Sequence, residues 1–136
     1  MNGESTIKVL IVEPMEKSRI AEIGSDLTSM QEVVGGYIEQ FMPFDEDIAI
    51  VCNEQGKLEG LPLNRAVRDK NGEIMDVIAG TFFVCYAPFE SENFESLTDE
   101  QQKKYGDKFK YPERFSLVGD NVKVIPIKPV NRDQER

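Results

Sequence analysis

One stretch of this sequence, residues 53–81, holds the residues whose types could do chemistry. Asn53, Asn64, Arg65, Arg68, Asp76 and Gly80 stand there among apolar neighbours. An arginine beside an asparagine can grip a carboxylate or a phosphate, because the guanidinium offers a fork of N–H donors that meets two oxygens at once. Gly80 admits a bulge or a close backbone approach beside such a site. The same residues also admit a structural reading. Arg65 would pair with Asp76 or Glu39 and stitch the segment to a sheet. Asn64 would satisfy loose backbone groups, since buried polar groups must be bonded whatever else they do.

Other chemistry finds little support. Histidine is absent, which removes Ser–His and Cys–His nucleophilic pairs, histidine acid–base work and most zinc sites. No catalytic residue, metal set or cofactor motif emerges, so a non-enzymatic role without cofactor is expected. Asp45, Glu46 and Asp47 are adjacent, but neighbours on an extended turn diverge, and no Ca²⁺-loop spacing is present. Glu90, Glu92, Glu95, Asp99 and Glu100 form a second acidic region. It reads as a solvated face or as a row of carboxylates imitating DNA phosphates. Cys52 and Cys85 sit inside apolar runs with no Cys-x-x-Cys. They read as buried free thiols behaving as small hydrophobes, with a redox pair as the alternative.

Composition narrows the partner. The chain has 136 residues and a net charge of −9, from 16 basic and 25 acidic side chains. Phosphate neutralisation needs a basic surface, so direct binding to nucleic acid or anionic membrane is not expected. A protein partner fits better. The first residues lack the basic start of a signal peptide, and the apolar run 77–89 is shorter than the ~20 residues of a membrane span. Cytoplasmic location with reduced thiols follows as the expectation.

The elements that must position the central stretch are predicted from pattern. Residues 7–12 are β-branched and nearly continuous in their apolarity, as in a central strand covered on both faces. Residues 18–23 return as its hairpin partner. Ser25 is the expected N-cap of a helix over 26–34, and Gly35-Gly36 ends it; the glycine pair could instead form an anion-holding nest. Strands are expected at 37–41, 48–52 and 82–86. Between the last two, Leu58, Leu61, Leu63 and Val67 call for burial, Pro62 opens a short helix over 63–68, and residues 69–72 make an Asn-Gly turn. Thr98 to Gln101 is a capping box for a helix over 99–109, with Tyr105 and Phe109 inward. A last strand at 122–127 carries Pro126 and belongs at an edge. The fold class is α+β: a mixed, mainly antiparallel sheet of about five or six strands with two main helices packed on it. One domain spans residues 1–130, and 131–136 form a flexible polar tail.

Residues 60–65 (Gly-Leu-Pro-Leu-Asn-Arg) and 80–83 (Gly-Thr-Phe-Phe), with 9–14 and 30–39, resemble the domain of unknown function 3846 family of Gram-positive bacteria, their phages and conjugative elements. The resemblance runs from about residue 7 to residue 129. It implies a cytoplasmic protein, often from a mobile element, and transfers no catalytic residue. The reading that follows is a non-enzymatic module binding a host or mobile-element protein, with an acidic DNA mimic as its sharpest form. The alternative is a small anionic-ligand or catalytic site around Asn53, Asn64 and Arg65.

Overall fold

The computed structural model describes residues 5–128. The apolar run at the start forms β1 (Thr6–Val12), and a short turn returns it as β2 (Arg19–Gly24), paired antiparallel with Leu10 opposite Ile20. Three further strands complete a sheet: β3 (Ile38–Phe41), β4 (Ile48–Asn53) and β7 (Phe82–Tyr86), in the order β2-β1-β7-β4-β3. Every pairing is antiparallel, so the sheet is not mixed. Strands β1, β7 and β4 lie inside it. Their apolar runs are continuous because both faces are covered.

Each face has its own core. On one, Val9, Val51 and Phe83 pack with Met30 and Val34 of helix α1 (Leu27–Val34). On the other, Leu10, Ile50 and Phe82 pack with Tyr105 and Phe109 from helix α2 (Asp99–Lys108) and its C-cap. The capping box expected at Thr98 and Gln101 is present. Helix α1 is capped differently from expectation. The Asp26 carboxylate accepts from Ser29 N at 3.0 Å, while the Ser25 hydroxyl turns to the Ser5 carbonyl. A carboxylate is the stronger acceptor for helix N–H groups and suits the positive dipole end. Gly35 ends α1 in the left-handed conformation, φ 80°.

Segment 53–81 departs most from expectation. Residues 63–68 form no helix; they are strand β5 (Leu63–Arg68), paired with β6 (Ile74–Ala79) in a separate ribbon. A helix this short would leave most of its N–H and C=O groups unpaired, whereas the turn at 69–72 folds a strand partner back at once. In that turn only Gly72 takes positive φ, 81°; Asn71 does not. The ribbon lays Val67 and Ile78 on the α2 side of the sheet. Val67 is buried as expected, but Leu58 is 87 % exposed and Leu63 is also exposed.

After α2 the chain forms a second ribbon, β8 (Glu113–Val118) with β9 (Asn121–Pro126), apart from the main sheet. The strand expected at the sheet's edge is therefore half of an independent hairpin. Residues 131–136, expected as a polar tail, lie outside the described residues.

The cysteines stand on opposite faces of the sheet, Cys52 on the α2 side and Cys85 on the α1 side. Both are free and buried. Burial pushes the Cys52 thiol up to about 11, helped by the charges of Glu39 and Asp76 and opposed by Lys57. Burial alone pushes Cys85 up to about 12. The thiolate is the reactive form. Alkylation by iodoacetamide at neutral pH should therefore run about a hundredfold or more slower on the native protein than on the urea-unfolded chain, and should speed up as pH rises. Equal rates, followed by mass spectrometry, would contradict this burial.

Candidate functional site

Arg65 lies on β5 and is 0 % exposed. Its guanidinium donates to the Phe109 carbonyl at 3.2 Å, the Glu16 carbonyl at 2.6 Å and Asn64 Oδ1 at 2.9 Å. Asn64, equally buried, donates from Nδ2 to the Val12 and Gly80 carbonyls, both at 2.8 Å. The pair forms a polar spine between the sheet, the β5–β6 ribbon and the end of α2. Burial draws Arg65 below its usual pKa, and the Glu113 carboxylate opposes that shift.

The expected ion pair of Arg65 with Asp76 or Glu39 does not form. Asp76 sits opposite Val67 on β6 and pairs with Lys57 at 2.7 Å. Backbone carbonyls take the place of a carboxylate, because Arg65 points inward to where the turn at Glu16 and the end of α2 at Phe109 present theirs. An outside ligand could reach the Asn64–Arg65 pair only by displacing those carbonyls.

Gly80 joins the pair through its carbonyl. Its φ is 86°, and a Cβ there would meet Leu61 Cδ1 at 2.7 Å. The close approach read from sequence is thus present. The other candidates are placed elsewhere. Asn53 donates to the Val34 carbonyl at 3.3 Å and accepts from Gln55 N, closing the end of α1. It explains the paired glycines: Gly35 supplies the left-handed cap, and a Cβ on Gly36 would meet Asn53 Nδ2 at 2.8 Å. A cleft of about 280 Å³ lies there, lined by Gln31, Tyr37 and Glu54 among others.

Arg68 donates to the Gly72 carbonyl and edges a separate cleft of about 410 Å³ floored by Phe44 and Tyr105. Lys104 pairs with Glu46 on its rim. That ammonium holds the Glu46 carboxyl below the usual range, while burial raises the Tyr105 phenol. The acidic positions 90, 92, 95, 99 and 100 spread over a loop and the start of α2, and Glu95 is bridged through its backbone to Tyr86.

One constellation was not read from the sequence. Three ammonium groups surround the Tyr111 ring: Lys17, Lys110 and Lys128, at 5.9, 5.4 and 5.8 Å from its centroid. None is ion-paired among the described residues. The spine holds the ring together from beneath. Arg65 binds the carbonyls of Glu16 and Phe109, next to Lys17 and Lys110. Ser18 N donates to the Lys110 carbonyl at 3.2 Å, and Ile127 N to the Pro112 carbonyl at 2.7 Å, which brings in Lys128. Only the run Lys110-Tyr111 was adjacent in sequence; the rest comes from folding.

Among the described residues no group of three His, Cys, Asp or Glu side chains could hold a metal ion, and no helix is long and apolar enough to cross a membrane. Fold and site define an antiparallel α+β domain with an internal polar spine and an appended ribbon. The chain belongs to the family described as "Domain of unknown function (DUF3846)", matched over residues 7–110. The match ends at Lys110, short of the residue 129 that the sequence resemblance reached, and the β8–β9 ribbon lies beyond it. No curated protein and no solved structure matches the chain.

Proposed function

We propose that this protein is a non-enzymatic protein-binding module that docks its partner on the β8–β9 ribbon. The carrying observation is the ribbon's apolar face, half-buried at Phe115 and Val124 and open at Leu117 and Val122. The register places Phe115 opposite Val124 and Leu117 opposite Val122, all on one side. Leu117 is 76 % exposed and Val122 44 %. The other side carries Arg114, Lys123 and Ile125. A two-stranded ribbon alone is marginal in water and gains from a cover. Its free ladder edges can also template an added strand. We take that partner to be a host or mobile-element protein; what supports this is the family resemblance alone.

The test is capture from host lysate by wild type and by a Leu117→Lys/Val122→Glu variant. That pair keeps an opposite-charge cross-strand contact while removing the apolar surface. A partner retained by wild type and lost by the variant, with unchanged thermal unfolding, supports the reading. Identical capture by both removes the ribbon from the interface. Turnover of a small molecule by the pure protein would overturn the non-enzymatic part. Asn64 and Arg65 are unsuited as probes, because their loss would act through folding.

A further inference from the structure

We infer that the ribbon's partner presents an extended acidic segment, and that Lys17, Lys110 and Lys128 around Tyr111 grip its carboxylates at the ribbon's base. The inference rests on the protein-binding reading above and names the chemistry of the partner.

Charge supplies the argument. This protein carries a net charge of −9, so its own carboxylates are plentiful. Some are used: Arg19, Lys57, Lys70, Lys103 and Lys104 are each ion-paired, while Lys8, Arg68, Lys108, Arg114 and Lys123 stand singly without an ion-pair partner among the described residues. The three lysines at Tyr111 converge on one ring, and none forms an ion pair among the described residues. Gathering like charges is unfavourable, and the ring's quadrupole offsets it only partly at an exposed site. A carboxylate from outside completes the balance.

Position adds a second argument. Lys110 and Tyr111 lead directly into β8, and Lys128 follows β9. The cations thus stand at the foot of the strands whose apolar face is open at Leu117 and Val122. Lys110, Arg114, Lys123 and Lys128 outnumber Glu113 and Asp120 along this arm, against the strongly acidic body. An arm that is both apolar and basic fits a segment that alternates apolar and acidic side chains, laid as a strand so that one set meets Leu117 and Val122.

Two other anions fit less well. A nucleic acid offers no aliphatic side chains to the apolar face. A small anion binds in a concave site, and none of the clefts described above is lined by these lysines. Arg65 and Asn64 act here as positioning residues. Arg65 fixes the two backbone segments that carry Lys17 and Lys110, Asn64 holds Arg65 through its Oδ1, and neither touches a ligand.

The experiment is fluorescence anisotropy on the full chain with labelled probes at low ionic strength. The probes are a peptide of alternating glutamate and valine, the same peptide with glutamine for glutamate, and a single-stranded oligodeoxynucleotide. The glutamate peptide should bind. Binding should weaken about tenfold or more for the glutamine peptide, for a Lys17→Ala/Lys110→Ala/Lys128→Ala variant, and on raising salt. The three lysines are exposed, so the variant should keep its thermal midpoint, which is measured alongside. Equal binding by variant and wild type overturns the inference, as does absence of peptide binding. Tighter, lysine-dependent binding of the oligonucleotide also overturns it and assigns the ring to nucleic acid. If lysate capture still depends on Leu117 and Val122 but not on the lysines, the ribbon reading stands and the acidic segment falls.

Discussion

Arg65→Met should lower the unfolding free energy by about 3–5 kcal/mol, read from urea denaturation. The guanidinium is wholly buried and donates to the Glu16 and Phe109 carbonyls and to Asn64. Methionine fills similar space but donates nothing. Each orphaned buried acceptor costs about 1–3 kcal/mol. Against that stands the recovered desolvation of a charge, which for buried ions can be large. The orphaned acceptors outweigh it here, because the carbonyls of two distant chain segments, at Glu16 and Phe109, meet on this one side chain. Arg65→Lys should recover part of the loss, since an ammonium keeps the charge but cannot span the same acceptors. A loss under about 1 kcal/mol for methionine would show that the desolvation of Arg65 nearly cancels its bonds.

Phe109→Ala should cost a comparable amount, about 3–5 kcal/mol by the cavity it leaves. Phe109 is 2 % exposed, and its ring stands edge-on to Phe82 at 5.5 Å between centroids. The aromatic contact contributes about 0.5–1.5 kcal/mol beyond area. A double-mutant cycle with Phe82→Leu separates that coupling from the cavity. The residue is also the last firm anchor before Lys110 and Tyr111. Its truncation should therefore weaken glutamate-peptide binding even where the protein stays folded. Unchanged binding in a folded Phe109→Ala protein would show that the lysine ring is held without the core beneath it.

Legibility followed the range of the interactions. β1, β4 and β7 were readable because strands buried on both faces are apolar at nearly every position. The α2 start was readable because a capping box spans four consecutive residues, and Gly35 because a left-handed cap has a local glycine requirement. The central segment failed at residues 63–68. Pro62 opens a helix or borders a strand with equal ease, and the deciding fact was the β6 partner across the turn. β6 was missed because residues 74–79 carry no clean alternation of apolar and polar residues, whereas β8 does alternate, Phe115 and Leu117 with Arg114 and Ser116, and was legible though not among the expected strands. Asp26 displaced Ser25 as N-cap because two good capping residues stand side by side and the chain's entry angle chooses between them.

By itself the sequence determined that Asn64 and Arg65, set among apolar residues, had to be bonded. It also determined that no histidine chemistry runs here and that the apolar runs build a sheet. Only the tertiary structure decided what those two residues bond. Their partners, the carbonyls of Val12, Glu16, Gly80 and Phe109, lie far apart along the chain. Backbone carbonyls carry no sequence signature, since every residue has one. The lysine ring was hidden for a related reason. Lys17, Lys110 and Lys128 are ordinary surface charges until chain crossings place them around one tyrosine.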